Sequence, residues 1–394
     1  MMICIKKRFF NLNRLLLLPF GLWLEETKFN YFQATLFCSL IMSSIVFQLS
    51  RFIIVEYNVD FLVKILASTT FFIVLVIPFI SMWINMKTIT SLFNQLQYIY
   101  DRLKDRNEIA IYNKYGYIAK YFTTIVITIL VCGLFANSVI VYWPYILDAV
   151  MPKNESYAIH TMKLVTKYFE VSEKYYFLVL VHLNAACTAG LIILTGVGTL
   201  LISYMKHICG MFEIASYRIE QAMAIELLHN FDIKKFIVMQ KIICAVNIQR
   251  YAMNFIDCFM TTLEGTVLAL IIVTVICMSV TLFRIFQIVS LEEEVEEVIL
   301  HLFSVLILLV VMFITNYIGQ QVTDYSNHIY IITYNASWYL APIRIQKLIL
   351  FLLQRSNKIF TLSVGGLFTA SLECFTTLVS ASVSYFTFMY SIQQ

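Results

Sequence analysis

The sequence predicts an all-α integral membrane protein that crosses the bilayer seven times, and three observations carry that prediction. Hydrophobic residues make up 60% of the 394, charged residues only 13%, and mean hydropathy is +0.80. Soluble domains keep apolar residues near half of the total. Apolar windows of about 20 residues, the length a helix needs to cross the hydrocarbon core, recur seven times. The few remaining charges are sorted by side rather than scattered.

Taken in order, the chain opens with Lys6, Lys7, Arg8 and Arg14 ahead of the apolar run Leu15–Leu24. That order mimics a secretory signal, but Pro19, Gly21, Trp23, Glu25 and Glu26 stand where a small-residue cleavage site belongs. The stretch is therefore expected to be retained on the cytoplasmic membrane face. Spans follow near 32–53, 62–84, 118–142, 176–204, 259–288, 298–318 and 366–392. The fifth and sixth are separated only by the acidic patch Glu292, Glu293, Glu294, Glu296 and Glu297.

Orientation follows from Lys and Arg. With the N-terminus cytoplasmic, 21 of the 28 basic residues fall on inner segments, and only Arg51, Lys153, Lys163, Lys167, Lys174 and Arg284 fall outside, with Lys64 at a membrane edge. The bias predicts an inner N-terminus and an outer C-terminus. The sequon at Asn154 then lies in the long outer loop, which makes it a glycosylation candidate, whereas Asn335 faces the cytoplasm.

The last span is apolar yet carries Thr377, Ser380, Ser384, Thr387 and Ser391 at spacings of 3, 4, 3 and 4, so the five hydroxyls share one helical face. Such a stripe either packs against other helices or lines water. The inverted orientation, the outer loops without cysteine and the absence of Asn-Pro-x-x-Tyr from the last span argue against a G-protein-coupled receptor. No phosphate-binding glycine loop, nucleophile elbow or metal-spaced pair is present, so neither enzyme chemistry nor a cofactor is expected. The nine cysteines read as small apolar residues, and Gly190, Gly196 and Gly198 as close-packing sites.

From Gly319 the chain reads Gly-Gln-Gln-Val-Thr-Asp-Tyr-Ser, then Tyr334-Asn335-Ala336-Ser337-Trp338-Tyr339, then Phe351-Leu352-Leu353-Gln354-Arg355-Ser356, and it closes with Ser371-Leu372-Glu373-Cys374-Phe375 and Ser384-Tyr385-Phe386-Thr387. This order and spacing resembles the C-terminal signature of insect odorant receptors. Residues 1–318 match that family only in length, span count and inverted orientation. The resemblance implies a tuning subunit of an odorant-gated, non-selective cation channel, assembled as a heterotetramer with the olfactory co-receptor in the plasma membrane of olfactory sensory neurons. The chain lacks the co-receptor's longer fourth-to-fifth-span loop and the Thr-Tyr…Gln-Phe ending of gustatory receptors.

On that resemblance the chain divides into residues 1–318, with the spans and an outer-half ligand pocket, a cytoplasmic anchor from 205–258 and 319–358, and a pore-lining helix at 366–394. Phe388 and Ile392, four apart and beside the hydroxyls of Ser384, Thr387 and Ser391, align with the family's gate. The ligand, a volatile organic molecule, is expected among Ser68, Phe71 and Phe72; Ala136, Ile140 and Trp143; Leu180 and Asn184; and Phe303 and Ser304. Aromatic rings would supply shape, while Asn184 and Ser304 would meet an oxygen. The five glutamates are read as a solvated outer loop, with attraction of permeating cations as the sharper alternative. A secondary transporter and a seven-span metabotropic chemoreceptor are the other readings. The transporter would want inverted repeats and broken helices, and neither is evident.

Overall fold

The computed structural model describes residues 5–23, 28–54, 59–150, 175–224, 231–290, 295–356 and 360–393. They form α1 (Ile5–Phe9), α2 (Asn11–Leu17), α3 (Lys28–Ile54), α4 (Val59–Ile84), α5 (Met86–Arg102), α6 (Arg106–Val150), α7 (Tyr176–Ala224), α8 (Phe231–Ser290), α9 (Val295–Asn335), α10 (Ile343–Ser356) and α11 (Leu372–Gln393). Six of these, α3, α4, α6, α7, α8 and α9, contain stretches long and apolar enough to cross a membrane. The seventh, α11, has 22 residues and so the necessary length, but its serines and threonines dilute its apolar character.

Length explains the architecture. Helices of 49 and 60 residues, α7 and α8, reach about 75 and 90 Å, against a hydrocarbon core of about 30 Å. Each must leave the membrane and continue. Their continuations, with the second half of α9 and with α10, build a helical layer over the anchor residues predicted from the sequence. Here Ala222, Met223, Val238, Ile242, Ala341, Ile345, Ile349 and Leu353 form a small core of their own. Arg218 reaches from α7 to the start of α6, giving Glu108 two bonds of 2.7 and 2.8 Å and the Cys244 carbonyl of α8 a third of 2.8 Å.

The N-terminal segment departs from the expectation. Rather than resting on a membrane face, α1 and α2 are driven between α5, α6 and α7, with Ile5, Phe10, Leu17 and Trp23 fully buried. Helices of five and seven residues cannot stand alone; buried rings hold them. The Phe10 ring stacks on His207 at 5.4 Å and meets Phe93 edge-on at 5.2 Å. Asn13 donates to Thr199 Oγ1 at 2.9 Å. The sequence had shown basic residues ahead of an apolar run, and a hydrophobic segment looks the same whether lipid or protein covers it.

Gly196 leaves room for Leu17 and Gly190 for Leu75: a Cβ at either would meet those side chains at 2.8 Å. Gly198 has open space, which corrects its reading as a packing site. The last span also begins later than expected. Residues 363–369 form a two-stranded hairpin, Ser363–Val364 paired with Phe368–Thr369, around Gly365 and Gly366, both at positive φ.

Candidate functional site

Four helices carry the expected ligand residues, and the structure joins three of them directly. On α6 and α9, the Phe303 ring points its tip at Gly133, where a Cβ would meet Cζ at 2.8 Å; Ala136 and Ile140 follow one and two turns along α6. Between α6 and α7, Asn137 Nδ2 donates to Asn184 Oδ1 at 2.9 Å and Asn184 Nδ2 donates to Tyr142 Oη at 3.0 Å. Leu180, half-buried, sits one turn away on α7.

The fourth helix, α4, is joined deeper. Phe71 packs where the main core meets a second one containing Val74, Val305 and Leu308, and so bridges α4 to α9. Phe72 turns into the main core and is 6% exposed, the profile of a packing residue. Ser68 is half-buried. Ser304 Oγ donates to the Leu300 carbonyl at 3.1 Å, which leaves its oxygen to accept. Trp143 lies on α6 with its side chain outside the described residues, and Asn154 lies outside them altogether. Neither Asn137 nor Tyr142 was singled out in the sequence, although an Asn at mid-span is itself a signal. His182, which the sequence left without a role, takes Ser43 and Ser44 of α3 at 3.1 and 3.2 Å.

The last helix has two unlike faces. Leu378 and Ser382 are buried, and Phe386, Met389 and Tyr390 close on Val63, Ala67, Val280 and Phe283. Ser279 Oγ donates to the Ser382 carbonyl at 3.0 Å, and the Phe286 ring meets Tyr390 edge-on at 4.7 Å. The other face is exposed: Phe388 is 62% and Ile392 69% exposed, with Thr377, Ser380, Ser384, Thr387 and Ser391 exposed alongside. Thr387 and Ser391 donate to the Ser384 and Phe388 carbonyls at 2.8 Å. A hydroxyl whose proton is spent on its own helix presents lone pairs outward.

The acidic patch is not simply a solvated loop. Glu297, in the first turn of α9, is buried and receives Arg284 Nη2 at 2.9 Å, Lys64 Nζ at 3.5 Å and His301 Nε2 at 3.8 Å, all on Oε1. Arg284, fully buried, also holds Asp60 at 2.5 Å. Glu292, Glu293 and Glu294 lie outside the described residues, as does the Glu296 side chain.

Residues 58–383 match the model of the 7tm odorant receptor family. No curated protein matches the chain by sequence. Among solved structures it is similar to the insect olfactory receptor OR5 from Machilis hrabei in complex with eugenol, with a TM-score of 0.75 at 11% identity over 98% of each chain. It is similar also to the same receptor described without that ligand, with a TM-score of 0.73 at 13% identity over 98% of this chain and 97% of that one.

Proposed function

The chain belongs to the odorant receptor family, and from that premise we propose that it is the tuning subunit of an odorant-gated, non-selective cation channel. One observation carries the proposal: α11 is docked by one face and bare on the other, and the bare face combines outward hydroxyl oxygens with Phe388 and Ile392. A lipid-facing helix gains nothing from exposed hydroxyls, whereas a face shared around a symmetry axis gives permeating cations oxygens to pass and two apolar rings to close the passage. The N-terminus is cytoplasmic and the C-terminus outside, in keeping with the basic residues. The helical layer of 205–258 and 319–358 holds the subunits together, and the partner is the olfactory co-receptor. The odorant binds in the outer half, where Asn184, Phe303 and Phe71 draw α4, α6, α7 and α9 together; the complex of the Machilis receptor with eugenol supports a volatile organic ligand.

Whole-cell recording tests this in cells expressing the chain with and without the co-receptor, over a panel of volatiles and under intracellular G-protein blockade. The expected result is a fast cation current that needs both subunits and survives the blockade. Surface protein without current in any combination overturns the reading in favour of a carrier or a metabotropic receptor. Phe388→Ala is expected to raise the current without odorant at unchanged surface level, because a smaller apolar ring is easier to wet.

A further inference from the structure

The proposed channel needs a part that links its odorant site to its gate, and one group of side chains stands where that part must be. Lys64 of α4, Arg284 of α8 and His301 of α9 meet around a single carboxylate oxygen, Glu297 Oε1, and the completely buried Arg284 also holds Asp60 of α4. Burying such charges is a poor means of stabilising a fold: isosteric apolar residues do as well or better. Ionisable groups at span ends also carry a cost that lipid-facing sequence avoids.

Each arm of the cluster leads to a functional residue. On α4, Lys64 lies one turn before Ser68 and beside Val63 and Ala67, which grip Phe386, Met389 and Tyr390 of the last helix. On α8, Arg284 lies between Phe283, in that same grip, and Phe286, whose ring meets Tyr390. On α9, His301 precedes Phe303 and Ser304 by two and three residues. A shift of α4 or α9 around a ligand must therefore pass through contacts that fix α8 against the gate-bearing helix. Arg284, Lys64 and the His301 ring share one oxygen at 2.9, 3.5 and 3.8 Å, so the carboxylate can trade one partner for another without losing all of them.

We propose that the Asp60–Lys64–Arg284–Glu297–His301 cluster is the positioning element that holds the last helix closed and transmits movement of the odorant site to it. This rests on the channel reading, and the test separates the two. Two variants are compared with the wild-type chain, each with the co-receptor: Glu297→Gln, which strips the shared carboxylate from a buried arginine, and the double variant Arg284→Met/Glu297→Met, which removes one charge of each sign and leaves Asp60 and Lys64 balanced. Surface biotinylation gives the amount of channel, and whole-cell recording gives the cation current without odorant.

The expected result is a resting current per surface channel raised about 5-fold or more, non-additive with Phe286→Ala, since both act through Tyr390. Wild-type resting current at wild-type surface density in either variant overturns the proposal. So does failure of both variants to reach the surface, which makes the cluster a folding element. A wild-type chain without current under any condition instead overturns the channel reading.

Discussion

The two ends of α7 are built by opposite rules. Toward its C-terminal end, Leu200, Tyr204, Ile208, Phe212 and Ala215 are all fully buried, enclosed by α1, α2, α6, α8 and α9. Toward its N-terminal end, Phe177, Leu178 and Val181 are exposed, and Asn184 adds a polar tie to α6. Close packing makes the C-terminal end resist any change of volume. On the proposed function the N-terminal end carries odorant residues, and its polar bonds are contacts a ligand would exchange. A receptor that stays assembled while its binding site moves would be served by this division, and the substitutions below probe it from the stiffest point outward.

The largest effect belongs to Phe10→Ala. Removing a ring packed against Phe93, Tyr204 and His207 is expected to cost about 3–5 kcal/mol, read as loss of surface protein and a lowered melting temperature in detergent. Glu108→Ala comes next. It leaves the largely buried Arg218 with the Cys244 carbonyl as its hydrogen-bond partner among the described residues and is expected to destabilise by about 2–3 kcal/mol; Glu108→Asp should recover part of the loss. Asn184→Ala lies at the other extreme. It should leave surface level unchanged while moving the odorant concentration–response midpoint about 3-fold or more, the scale of a polar contact within a bundle. A fall in surface protein with Asn184→Ala, or none with Phe10→Ala, would erase the distinction between the two ends.

How much of this was legible in the sequence divides along the same line. Spans were readable because twenty apolar residues in a row permit little else, and the hydroxyl stripe of α11 was readable because helical spacing places it on one face. The fate of the N-terminal segment was not, since Phe9, Phe10 and Trp23 would be equally apolar against lipid. Nor was the division of labour within the acidic patch. Nothing local distinguishes Glu297 from its neighbours, and only folding brings Arg284 and Lys64, far apart in sequence, to its carboxylate. Among the pocket candidates, periodicity offered Phe71 and Phe72 alike, and only the packing shows that Phe72 belongs to the core.

The hairpin at 363–369 has a mechanical consequence. Gly365 N–H donates to Glu264 of α8 at 2.8 Å, and Ala370 fills the space that Gly319 of α9 leaves open, so the N-terminal end of α11 is pegged to two helices at once. The opposite end is held by ring contacts, which slide more readily than they part. The helix is thus a lever with a fixed fulcrum: at about 33 Å long, a tilt of about 5° sweeps its far tip through about 3 Å. On the proposed channel reading, such a lever carries a displacement at Tyr390 to Phe388 and Ile392 at nearly its full size while the end at Leu372 stays fixed.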